Sequence, residues 1–210
     1  MTKSLLISLV AFVAVQSAIL GLAAKPKKAA PDFFPLRVGD SWTYRNVPEE
    51  GGYTLKVVSE DAKPDAPTRY LVEMNSGVKV LTTFSKAGGW VLMHSERYPE
   101  HEGLEATYEP PRQHLPDPLV AGAKWESKGK DYTQVERHES SVVSGPEQVT
   151  VPAGKFRAMK VVTQIASDTA KMTRTCWYAD GVGLVKSFTD GGQIKYGQEL
   201  TDYSFKKPAK

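Results

Sequence analysis

The 210 residues include 40% apolar and 10% aromatic side chains, and they carry a formal net charge of +3. That composition excludes a chain disordered throughout, because there is enough apolar surface to build a core. The lysines gather at Lys25, Lys27 and Lys28 and again at Lys206, Lys207 and Lys210. No one-sided basic face emerges, so no nucleic-acid partner is expected. The single cysteine, Cys176, excludes an intrachain disulfide, and stability has to come from packing.

The chain begins with Lys3, an almost wholly apolar run from Leu5 to Leu22, and the small residues Ala23 and Ala24. This is the layout of a secretory signal peptide over residues 1–24, with cleavage expected at Ala24. Left uncut, the same run is long enough to anchor the chain in a bilayer, the only membrane contact the sequence suggests. Residues 25–32 read as a polar linker, and the mature protein is expected to be periplasmic or secreted.

From Phe33 onward the dominant period is two. Trp42 and Tyr44 alternate with polar neighbours. The same period runs through Tyr53, Leu55 and Val57; Tyr70, Val72 and Met74; Val78, Val80, Thr82 and Phe84; Val182, Leu184 and Phe188; and Ile194, Tyr196 and Leu200. Gly51-Gly52, Gly88-Gly89, Val151-Pro152-Ala153-Gly154 and Asp190-Gly191-Gly192 supply hairpin turns between such runs. The apolar phase slips between Phe156 and Ile165, which predicts a bulge there. Tyr98 to Pro118, bearing five prolines, is expected to be a long loop, because proline cannot donate to a sheet ladder. No amphipathic helix is evident.

Pro35-Leu36-x-x-Gly39-x-x-Trp42 recurs as Pro118-Leu119-x-x-Gly122-x-x-Trp125. Phe84 to Leu92 is more loosely echoed by Trp177 to Val185. The expected architecture is therefore all-β: a curved antiparallel sheet forming a half-barrel or partly closed barrel, with an internal two-fold duplication. It is one domain over residues 33–205, with pseudo-repeats at roughly 33–110 and 116–205 and a basic tail over 206–210.

Three motifs together resemble the TapB-like family, secreted bacterial β-proteins of unknown function. They are Phe34-Pro35-Leu36-x-x-Gly39-x-x-Trp42-x-Tyr44, Val149-x-Val151-Pro152-Ala153-Gly154-x-Phe156, and Trp177-Tyr178-Ala179-x-Gly181-Val182-Gly183-Leu184-Val185-Lys186. The resemblance implies a fold distantly similar to the periplasmic lipoprotein carriers, whose curved sheet surrounds an apolar cavity. It brings no catalytic residues with it. A lipidated cysteine, frequent among envelope relatives, is missing here.

Catalytic machinery is not legible. His94, His101, His114 and His138 lack metal-ligand spacing, although the first three lie in or near the proline-rich segment and could converge. Cys176 reads as a buried thiol, with Arg174 on the same strand face as its one activating neighbour. The carboxylate groups Glu49-Glu50 and Glu100, Glu102 and Glu105 fall in polar turns. There is no G-x-S-x-G elbow, no G-x-G-x-x-G and no P-loop. No cofactor and no metal are expected, and the chain does not read as an enzyme. Trp42, Trp90, Trp125 and Trp177 read first as core; they are also the candidate lining of a ligand cavity. The leading functional expectation is an envelope binding module for an apolar or amphiphilic ligand such as a lipid. A protein-interaction module for an envelope protein, and a hydrolase with the proline-rich segment as its lid, are the alternatives.

Overall fold

A computed structural model describes residues 30–130 and 135–205. The expected signal segment with Ala24, residues 25–29 of the linker, and the tail over 206–210 lie outside the described residues.

Described residues form twelve strands and no helix: β1 (Ser41–Val47), β2 (Gly52–Lys63), β3 (Ala66–Asn75), β4 (Lys79–Ala87), β5 (Trp90–Arg97), β6 (Glu105–Pro116), β7 (Lys124–Lys130), β8 (Glu136–Val151), β9 (Gly154–Ala166), β10 (Lys171–Ala179), β11 (Gly183–Asp190) and β12 (Lys195–Ser204). They pair antiparallel in one sheet of order β6-β5-β4-β3-β2-β1-β12-β11-β10-β9-β8-β7. Each half of the chain is a six-strand meander, and the first and last strands join the two halves. The sheet curls into a nearly closed barrel. Its seam lies between β6 and β7, which share no backbone ladder; across it Arg112 on β6 meets Glu139 on β8, and Trp90 on β5 meets Trp125 on β7.

The two P-L-x-x-G-x-x-W entries adopt the same local structure. Gly39 and Gly122 both take positive φ, 94° and 87°, which side-chain-bearing residues adopt rarely. The Gly39 N–H donates to the Val57 carbonyl at 2.8 Å, and the Gly122 N–H to the Val143 carbonyl at 2.9 Å. Asp40 and Ala123 donate back to Arg37 and Val120 at 3.0 and 3.1 Å, while Val57 and Val143 complete the ring through the carbonyls of Asp40 and Ala123. Leu36 and Leu119 are buried in both.

Each entry then crosses to the other half. The Asp32 carbonyl accepts from Gly181 N–H at 2.7 Å, and the Trp42 indole donates to the Val182 carbonyl at 2.7 Å, both at the β10–β11 turn. Reciprocally, the Asp117 N–H donates to the Gly89 carbonyl at 2.9 Å at the β4–β5 turn. Lys86 holds both, with Asp32 at 2.7 Å and Asp117 at 3.6 Å.

The expected long loop is instead β6 together with a short turn. Its prolines are tolerated for two reasons. β6 is an edge strand, so one row of its N–H groups has no ladder to serve. And pairing with β5 skips from Ser95↔Thr107 to Met93↔Arg112, so Pro110 and Pro111 sit in the irregularity. The bulge predicted in β9 falls in its partner β8 instead, at Gly145-Pro146, where Ser144↔Lys160 steps to Glu147↔Ala158. In β11 the inward residues are Val185, Ser187 and Thr189, not Leu184 and Phe188. Phe188 faces outward and covers Gly197, whose absent Cβ leaves room for the ring.

Candidate functional site

The inward face carries the side chains that meet across the curl, and its two walls differ in chemistry. From β1 to β6 it presents Trp42, Tyr44, Tyr53, Leu55, Val57, Val72, Val80, Phe84, Val91 and Leu115, almost all apolar or aromatic. From β8 to β11 it presents apolar side chains as well, Val143, Val161, Ile165 and Val185, but among them runs a row of buried polar groups, Glu139, Ser141, Thr163, Ser187 and Thr189, with Arg174 and Cys176 beside them. Buried hydroxyls need partners. Ser141 and Thr163 satisfy one another at 2.9 Å, and Ser187 donates to Gln198 at 2.6 Å.

The polar wall culminates in an ionic cluster that crosses the seam. Arg112 on β6 reaches Glu139 on β8 at 2.6 Å, and Arg174 on β10 lies 3.6 Å from the other oxygen of the same carboxylate. Burial pushes the Glu139 carboxyl up, but the attraction of Arg112 and Arg174 and a hydrogen bond from Arg112 outweigh it and hold the group below its ordinary range. Burial also works against the charge on Arg174. The Cys176 sulfur, Glu139 and the nearby Tyr178 and Tyr196 nevertheless keep its proton bound more tightly than usual. The Arg174 side chain remains 42% exposed on the inward face of the sheet, so water reaches it. His114 lies against Phe34 and Phe84, with ring centroids 5.4 Å from each. Burial, then Arg174 and Arg112, drive it down to about 4, against a smaller pull from Glu139, so the ring is neutral near pH 7.

Cys176 packs against the core between Arg174 and Tyr178, and burial pushes its thiol up, away from the thiolate a nucleophile needs. His94 binds the Ser85 hydroxyl at 2.8 Å, His101 lies in the β5–β6 turn and His138 lies 3.5 Å from Glu126. The four histidines therefore do not converge. Among the described residues no group of three or more His, Cys, Asp or Glu is placed to hold a metal ion.

Nor do the four tryptophans line one space. Trp42 is buried and bonded to the β10–β11 turn. Trp90 and Trp125 meet edge to face across the seam, 6.1 Å apart. Trp177 points outward between Lys160 and Lys186, whose ammonium groups sit 5.7 and 5.9 Å from its ring centroid, and donates to Glu147. A depression of about 450 Å³ on β7–β9 involves Trp125 alone of the four, with Val142 and Val162.

Residue spacing alone missed Arg112 and Glu139. The available signal was parity: Glu139, Ser141 and Val143 alternate within one strand, which places a carboxylate on the inward face.

Residues 96–193, a stretch containing every member of this cluster, match a family model described as DUF3108-like. No curated protein matches the chain. Among solved structures, a protein described as exported with a YmcC-like fold, from Bacteroides fragilis, superimposes with a TM-score of 0.54 at 14% identity, covering 84% of this chain and all of that one. A protein described as a lipoprotein, from Parabacteroides distasonis, gives 0.48 at 14% identity with the same coverage. The first of these likenesses establishes the fold class: an all-β barrel-like sheet of YmcC-like type.

Proposed function

We propose that this is an extracytoplasmic, non-enzymatic binding module that holds an amphiphilic ligand against the inward face of the sheet. One observation carries the reading: an interior packed with apolar side chains from both halves also carries a row of polar groups, Glu139, Ser141, Thr163, Ser187 and Thr189, that ends in the water-reached Arg174. A purely structural interior has no need of such a row, and charged groups are placed inside at a cost. The signal-like N-terminus, the TapB-like motifs and a structural neighbour described as exported support an envelope location. The test is native mass spectrometry of the protein purified from its own envelope, with organic extraction of what co-purifies. A stoichiometric amphiphile is the expected result. A bare polypeptide mass, unchanged after incubation with total envelope lipids, overturns the reading.

A second reading, docking of an envelope protein, is favoured by Ile194, which is 69% exposed at the β11–β12 turn. Crosslinking from a photoreactive residue at position 194 in envelope preparations tests it. A discrete adduct supports it, and none opposes it.

A further inference from the structure

The ionic cluster is not balanced. It holds two guanidinium groups, Arg112 and Arg174, against the single carboxylate of Glu139. His114, driven down to about 4, adds no charge near neutral pH. One positive charge is left over on an enclosed surface, where the protein screens it less than water would.

The surplus falls on Arg174. Arg112 meets Glu139 at 2.6 Å, a charge-assisted contact. Arg174 stays 3.6 Å from that carboxylate, beyond hydrogen-bonding reach, and among the described residues no hydrogen bond holds it. A guanidinium presents five N–H donors in a planar fork that matches a carboxylate or phosphate. This one is held by its strand between Thr163 on β9 and Thr189 on β11, with Tyr196 next in the same row. A structural clamp would place the second arginine in contact with the carboxylate. Here it stays within ion-pair range of Glu139 without hydrogen-bonding it, and 42% of its side chain is exposed.

We infer that Arg174, supported by Arg112 and flanked by Tyr196, is the receptor for a single anionic group, carboxylate or phosphate, on the ligand. The inference rests on the ligand-binding reading above and gives it an orientation: the anionic head lies at β10. Glu139 acts as a positioning residue, keeping Arg112 in place while subtracting one charge from the site.

Calorimetric titration of the full mature chain with decyl phosphate, decyl glucoside and inorganic phosphate tests this, with both amphiphiles below their micellar concentrations. Decyl phosphate is expected to bind roughly tenfold or more tightly than decyl glucoside. R174Q should remove that preference, whereas E139Q, which keeps a hydrogen-bond acceptor for Arg112 and deletes the negative charge, should enlarge it. Opposite signs from two changes in one cluster are not what a merely structural clamp produces, and E139Q still decides the matter if R174Q does not fold. Equal binding of both amphiphiles by the wild-type protein and both variants overturns the anion receptor and leaves the amphiphile reading standing. Binding of inorganic phosphate as tight as that of decyl phosphate, with the same dependence on Arg174, upholds the receptor and overturns the amphiphile. Binding of none of the three overturns both.

Discussion

The two walls of the interior are built from equivalent six-strand meanders, yet they are filled differently. The β1–β6 wall packs Val57 and Val91 without any exposure and stacks Tyr44 on Tyr53 at 4.9 Å. The β8–β11 wall also buries four hydroxyl-bearing side chains, Ser141, Thr163, Ser187 and Thr189, and a carboxylate held by two arginines. The difference teaches that strand order fixes where a wall stands, not what it is made of. Both halves supply packing energy, at about 1.5–3 kcal/mol per fully buried aliphatic or aromatic side chain, and the second adds a polar row to it.

Four measurements break or sharpen that contrast. The largest effect is expected in the apolar wall. Phe84→Ala removes a buried ring packed on Phe34 and His114 and should cost about 3–5 kcal/mol in urea unfolding. Glu139→Ala in the polar wall should cost about 3 kcal/mol, because it leaves Arg112 and Arg174 facing one another without a counter-charge. Acid comes next. His114 titrates lower in the folded chain than the ordinary 6.5, so the unfolded state binds its proton first and stability falls as pH drops from 6.5 toward 4. The loss is on the order of 2 kcal/mol for a ring that water partly reaches, and His114→Phe should flatten the profile across that window. Glu139, held below its ordinary value, adds a further loss below about 4.5. The smallest effect is expected from Ser141→Val combined with Thr163→Val. The threonine change is isosteric, and the serine change adds one methyl group that the packed site has to accommodate, so the pair should cost about 1–2 kcal/mol. A large loss there would mean that the polar wall is structural in its own right.

Much of the architecture was legible because apolar alternation and glycine turns survive in the β1–β5 meander and at the hairpins. Gly88 and Gly89, at φ 58° and 80°, make the tight turn their sequence promises. The P-L-x-x-G-x-x-W repeat anticipated two superposable entry turns. What alternation could not show lies where inward residues are polar. β8, sixteen residues long, hides behind Glu139, Ser141 and a bulge at Gly145-Pro146, so its period-two signal is weak. Phe188 and Leu184 misled in β11 because aromatic and aliphatic side chains also cover glycine and neighbouring strands on the outer face. The prolines of β6 read as a loop because nothing local to them reveals that the strand lies at an edge. The ionic cluster joins residues 27 and 35 positions apart in sequence, from Arg112 to Glu139 and from Glu139 to Arg174, and only the curl of the sheet brings them together.

The reciprocal entries have a consequence for assembly. Each meander is capped by the strap that belongs to the other, through Asp32 at Gly181 and Asp117 at Gly89, and the sheet is joined only when β12 reaches β1. Such long-range closures are slow to form. During synthesis β1 waits with one edge open until the last ten residues of the sheet emerge. Neither half is expected to fold by itself. A chain truncated before β12 should therefore lose cooperative unfolding altogether, and the vulnerable interval in the life of this protein is the time between the appearance of its first strand and its last.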